Sequence, residues 1–113
     1  MNINQVINRL IIPVSHGFEF LCLDEIIYLE ADGNYTFLHL TCQRKIHITR
    51  QLHEFVDLLN TSLFFRCHQS YMVNLKHVLK YNSGDGGELI MSNNKTLAVS
   101  RQYKKELMRI IRK

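Results

Sequence analysis

The sequence predicts a mostly β domain with one short internal helix and a C-terminal helix, on three observations. Short runs rich in β-branched and aromatic residues succeed one another as far as Thr49, each closed by a turn signal. A second set of such runs lies between Val78 and Val99. Only two segments, after Arg50 and after Ser100, change to a helical period. A chain of 113 residues gives these elements room for one domain with a single core.

In order, strands are expected over residues 11–14, 18–23, 26–30, 36–41 and 45–49, with turns at 15–17, 24–25, 31–34 and 42–44. That spacing reads as an antiparallel meander. Leu52, Phe55, Val56 and Leu59 then fall at i, i+3, i+4 and i+7, one apolar stripe of a helix that Thr49 would cap and Asn60-Thr61 would end. Strands over 78–81, 88–91 and 95–99 flank a Gly-rich turn at 82–87 and the Asn93-Asn94 turn. From Ser100, a natural N-cap, Tyr103, Leu107, Ile110 and Ile111 recur on one face of a last helix. Cationic residues near its end complement the helix dipole.

Composition excludes several classes. With 46% apolar and 21% charged residues the chain should fold, and no apolar run approaches the length of a membrane span. Residues 1–10 lack the basic start and apolar block of a signal peptide, and are expected to be an N-terminal segment or linker remnant ahead of a domain over 11–113. Three cysteines with no close pair argue against a disulfide framework, so a cytoplasmic location is expected. Net charge is +4, unevenly spread. Residues 1–43 hold one basic side chain against five acidic, residues 44–81 six against two, and residues 101–113 six against one. Two basic blocks suit a domain with one side facing a polyanion, although ordinary surface charge reads the same way.

The segment FFRCHQSYMVNL, residues 64–75, mixes core residues with Arg66, His68, Gln69 and Asn74. In an extended chain Phe65 and Cys67 share one face and Arg66 and His68 the other. The alternation then breaks, which indicates a tight turn or one loose helical turn, with Tyr71 and Val73 inward and Gln69 and Ser70 at the rim. Asn74 is expected to satisfy backbone groups. Arg66 and His68 could do the same or face a ligand. Gln69 has no evident structural task, and its amide can bond both N7 and N6 of adenine in a major groove.

Four stretches, YLEADGNYTFLHL (28–40), the helix with Leu52 and Leu59, FFRCHQSYMVNLKHV (64–78) and LAVSRQYKKEL (97–107), resemble in order the LytTR family of bacterial DNA-binding domains. The most specific parts are F-x-R-x-H-x-S-x-x-V-N and the V-S-R before the last helix. The resemblance implies a compact sandwich of antiparallel sheets without a helix-turn-helix, binding double-stranded promoter DNA through loops that enter successive major grooves. It also implies direct repeats bound by two copies, and a receiver or sensor domain elsewhere, which leaves open a free-standing regulator or an excised domain. Carried over by position, base contact is expected of Thr36, Gln69 and Arg101. Backbone contact is expected of Asn34, Tyr35, Arg66, His68, Ser70, Gln102 and Lys104. Many relatives carry Arg or another basic residue where this chain has Gln69, which points to weaker affinity or a preference for adenine.

No enzymatic role, cofactor or metal is expected. The His39, Cys42, His47 spacing lacks a fourth ligand, and strand geometry separates its first two members. Cys67 and His68 diverge on a strand, so a nucleophilic pair is set aside. Gly84-Asp-Gly-Gly87 lacks the Lys-Ser/Thr of a phosphate loop. The rival reading is a protein–protein interaction module using a sheet edge or the C-terminal helix.

Overall fold

The computed structural model describes residues 3–59 and 62–113. Strands β1 (Asn4–Val6), β2 (Arg9–Val14) and β3 (Gly17–Cys22) form an antiparallel sheet in that order. After a single 3-10 turn, β4 (Ile26–Asp32), β5 (Tyr35–Leu40) and β6 (Lys45–Ile48) run as a meander into helix α1 (Leu52–Leu58). The hairpin β7 (Phe64–His68) and β8 (Tyr71–Asn74) returns to β4, giving a five-stranded sheet ordered β6-β5-β4-β8-β7. A third sheet holds β9 (Val78–Asn82), β10 (Glu88–Met91) and β11 (Thr96–Ala98), followed by α2 (Arg101–Ile111).

The five-stranded sheet is the middle layer, so two cores replace the single core expected. Leu29, Leu38, Met72 and Phe64 meet Leu10, Ile12 and Leu21 of the first sheet and Leu52 and Phe55 of α1. Tyr28, Phe65, Cys67 and Val73 meet Leu89, Met91 and Leu97 of the third sheet and Leu107 of α2. β4 is therefore buried on both faces, which explains the unbroken apolar run Ile26-Ile-Tyr-Leu29. An extra residue at Ile27, where Ile26 pairs with Leu40 but Tyr28 with His39, puts Ile27 and Tyr28 into the same core.

Four expectations are corrected. The folded unit starts before residue 11: Asn4–Val6 pairs with β2, and Leu10 is wholly buried. Gln51, not Thr49, precedes α1, and its N–H donates to the Glu54 carboxylate at 3.0 Å, a reciprocal cap from inside the helix. Ser100 holds the N-cap position of α2 without a side-chain bond; its carbonyl accepts from Tyr103 N–H, and its buried hydroxyl has no partner among the described residues. Ile110 and Ile111 lie largely exposed on the last turn of α2, because only Leu107 of the predicted stripe is fully covered. The helix end expected at Asn60-Thr61 lies outside the described residues.

Asn74 behaves as the sequence reading expected. Fully buried, it donates to the carbonyls of Leu23 at 3.3 Å and Ile26 at 2.9 Å, and accepts from Lys76 N–H at 2.9 Å. It thus satisfies three backbone groups at the two 3-10 turns that lead into β4 and β9. Asn74→Ala should cost about 3 kcal/mol, because the Leu23 and Ile26 carbonyls and the Lys76 N–H would each lose this partner inside the fold. Urea unfolding midpoints compared at equal m-value check this.

Candidate nucleic-acid interface

The β4–β5 turn is a two-residue reversal in which Asp32 pairs with Tyr35, and Gly33 takes a φ of +62° that most side chains would strain. The β7–β8 turn is Gln69-Ser70, closed by the pairing of His68 with Tyr71, so the alternative of a loose helical turn is not adopted. Since β8 pairs with β4 as far as Glu30 opposite Tyr71, both turns leave the sheet at the same end. Ala31 N–H donates to the Ser70 carbonyl at 2.8 Å and ties them together.

Arg101 reaches this end through a bulge. Arg66 pairs with Met72 but His68 with Tyr71, which makes Cys67 an extra residue in β7. The Cys67 carbonyl, outside the regular ladder, accepts from Ser100 N–H at 2.9 Å. Its thiol points at the Ala98 carbonyl, 3.8 Å away. Arg101 therefore starts α2 against the strand that leads into Gln69.

The two readings left open for Arg66 and His68 now have a geometry. Arg66 donates through Nε to the His68 carbonyl at 2.8 Å and through Nη2 to the Gln69 carbonyl at 2.6 Å. His68 Nδ1 accepts from Ser70 N–H at 3.0 Å. Both side chains brace the turn from within, fixing the backbone from which Gln69 projects. The Gln69 side chain is exposed and has no hydrogen-bond partner among the described residues, and the exposed Arg101 has no ion pair among them.

The other predicted residues divide. Thr36 is a correction: it is fully buried, and its hydroxyl donates to the Arg50 carbonyl at 2.7 Å, so it cannot face a base. Its strand register, opposite Ile48, turns it toward the first core. Asn34 is exposed and accepts from the Gln51 amide at 3.2 Å. Tyr35 is 41% exposed, its ring 4.8 Å from that of His47. Ser70 lies in the braced turn, and Gln102 is exposed beside Arg101. Lys104 is half-buried one turn along α2, where it lines a groove with Tyr81.

Sequence reasoning missed the segment at Arg50 and Gln51. Thr36 and Asn34 bind it to the same end of the sheet, which brings Arg50, a third exposed and 3.9 Å from Glu54, beside the β4–β5 turn. The pairing of β5 with β6 was the available signal, since a strand antiparallel to one that leaves a turn must return to that turn's end.

A ladder of rings crosses the face of the central sheet that carries the second core, and runs from one turn toward the other. His68 lies beside Tyr71, Tyr71 edge-on to Tyr28, Tyr28 stacked on His39 at 4.2 Å, and Phe37 between His39 and His47. Lys45 sits over Phe37 at 4.4 Å, a cation–π contact. His39 Nε2 meets Glu30 Oε1 at 2.8 Å. Burial, and then the charge of Glu30, push the Tyr28 hydroxyl up to about 12. Burial pushes the Cys67 thiol up to about 12 as well, which leaves it protonated and a poor nucleophile. That preference for the neutral thiol stabilises the fold below the ordinary thiol pKa and fades as pH rises toward 12.

Residues 16–112 match the family model described as the LytTr DNA-binding domain. The CO-responsive transcriptional regulator RcoM of Rhodospirillum rubrum is 36% identical over 73 residues, 65% of this chain and 30% of that protein. The sensory transduction protein LytT of Bacillus cereus is 27% identical over 114 residues, 93% of this chain and 43% of that protein. The chain thus spans less than half the length of these relatives. A solved LytTr DNA-binding domain of a Bacillus cereus response regulator superposes with a TM-score of 0.78 at 23% identity. It covers 94% of this chain and 98% of that one, a likeness of fold.

If Arg66 braces the turn, Arg66→Met should speed amide exchange at Ser70 and Ala31 about tenfold, a local opening easier by about 1.4 kcal/mol. Amides of β10, in the other sheet, should keep their protection. Hydrogen-exchange NMR distinguishes this from general destabilisation, which would raise exchange at both.

Proposed function

The chain belongs to the LytTr DNA-binding domain family, and from that premise we propose that it reads double-stranded promoter DNA by sequence, as the DNA-binding part of a bacterial transcriptional regulator. One observation carries the reading. The Ala31–Ser70 and Ser100–Cys67 hydrogen bonds gather two chain reversals and the start of α2 at one end of the sheet, where the Gln69 amide and the Arg101 guanidinium both lack partners among the described residues.

Each group has a distinct task. The Gln69 amide offers one donor and one acceptor, which complement N7 and N6 of adenine in a major groove. Arg101 offers a fork that suits guanine O6 and N7. Beside it, the unsatisfied N–H groups at the start of α2 favour a phosphate. Asn34, Tyr35, Ser70, Gln102 and Lys104 contact the sugar–phosphate backbone and fix register. Arg66 and His68 contribute by holding the turn, and Thr36 takes no part in contact. Because one such edge covers a short stretch of duplex, two copies on repeated half-sites complete an operator. A receiver or sensor domain, as the longer relatives would accommodate, supplies the signal. No step of this function requires a catalytic group.

Selecting bound duplexes from a random pool tests the reading, with a recovered direct repeat expected. A chain that is only a protein interaction module would recover no sequence and show no salt-sensitive background binding. On the recovered site, Gln69→Ala should lose about 1–3 kcal/mol of discrimination at one base pair, while affinity for unrelated duplexes stays within twofold or so. Uniform weakening across all sequences would remove Gln69 from base reading. With about 4 to 6 phosphates neutralised per domain, log affinity should fall against log salt with a slope of about −4 to −5, measured by fluorescence anisotropy.

A further inference from the structure

α2 continues for two turns past the residues that serve the DNA edge, and its far end is built differently. Met108 and Ile111, with Tyr81 from β9, make the floor of an open groove. Ile111 is 49% exposed there. Arg101, Lys104, Lys105 and Arg112 form the rim, recurring at i, i+3, i+4 and i+11 along the same stripe of the helix. None of these four has an ion pair among the described residues, whereas Arg109, one turn past Lys105, is paired with Glu106 at 2.8 Å. Among the described residues no acidic side chain lines the groove.

We propose that this groove docks an acidic amphipathic segment of a partner protein, its apolar side chains on Tyr81, Met108 and Ile111 and its carboxylates against the four rim cations. Charge complementarity selects an anionic occupant, and the floor selects between the two anionic candidates. A DNA backbone would gain from the cations but leave the apolar floor wet. An amphipathic segment covers floor and rim together. Arg101 and Lys104 belong to both surfaces, so the occupant competes with duplex DNA. That competition rests on the function proposed above; the docking itself does not.

The probe is a short fluorescein-labelled peptide with Leu at i, i+3, i+4 and i+7 and Glu elsewhere, titrated into the full chain. Its control carries Ser in place of each Leu. The Leu peptide should bind at least tenfold tighter than the control, and Ile111→Ser should remove most of that difference. Lys105→Gln with Arg112→Gln should weaken the peptide at low salt. Ile111→Ser, at the exposed helix end, should leave duplex affinity and circular dichroism unchanged. The proposal is overturned if the peptide does not bind, if the two peptides bind equally, or if Ile111→Ser weakens the duplex and spares the peptide. Failure of duplex binding with peptide binding intact would sink the DNA reading and leave the groove standing.

Discussion

The extra residue at Cys67 is the constraint on which the arrangement of the polar edge depends. β7 is the outer strand of its sheet, so only alternate carbonyls face β8 and the others stay open to further partners. The bulge sets which of them faces the start of α2, and Ser100 N–H takes the Cys67 carbonyl. Two chain segments more than thirty residues apart are thereby locked in register, and the side chain of Cys67 fills the core beneath them. Gln69 and Arg101 hold a fixed relation because of a backbone irregularity, not because of any contact between their own side chains.

The mixture of residues in the stretch from Phe64 to Leu75 follows from this. Phe65, Cys67 and Val73 anchor it in the second core, and Phe64 and Met72 anchor it in the first. Arg66 and His68 satisfy turn backbone that the reversal leaves open, and Asn74 satisfies backbone at the opposite end of the hairpin. Once those tasks are assigned, Gln69 is left without a partner. A preorganised turn loses little further entropy when it meets a ligand, so a neutral amide held this way can discriminate without a charge to raise affinity everywhere.

Much of the fold was legible because its signals are local. The alternation in β5 and the i, i+3, i+7 stripe of Leu52, Phe55 and Leu59 encode which side faces the core, whatever the partner. β1 was not legible, since three residues make a strand only by pairing with β2. Thr36 misled for a related reason. A hydroxyl beside a turn looks available until the register with Ile48 fixes its face, and register is a property of two strands. The bulge at Cys67 was equally hidden, because Phe-Arg-Cys-His alternates with or without an extra residue. The exposure of Gln69 and Arg101 was legible because each follows a run whose apolar members must be buried, leaving the polar one outside.

The three cysteine thiols of the chain differ sharply in availability. Cys67 is enclosed and stays un-ionised, Cys22 is half covered, and Cys42 stands exposed in the tight turn between β5 and β6. That turn lies at the end of the central sheet remote from Gly33 and Gln69, because successive antiparallel reversals alternate ends. A maleimide dye would therefore favour Cys42, on the side away from the polar edge. Such a conjugate provides a spectroscopic reporter of the domain's orientation that does not stand in the way of whatever the edge meets.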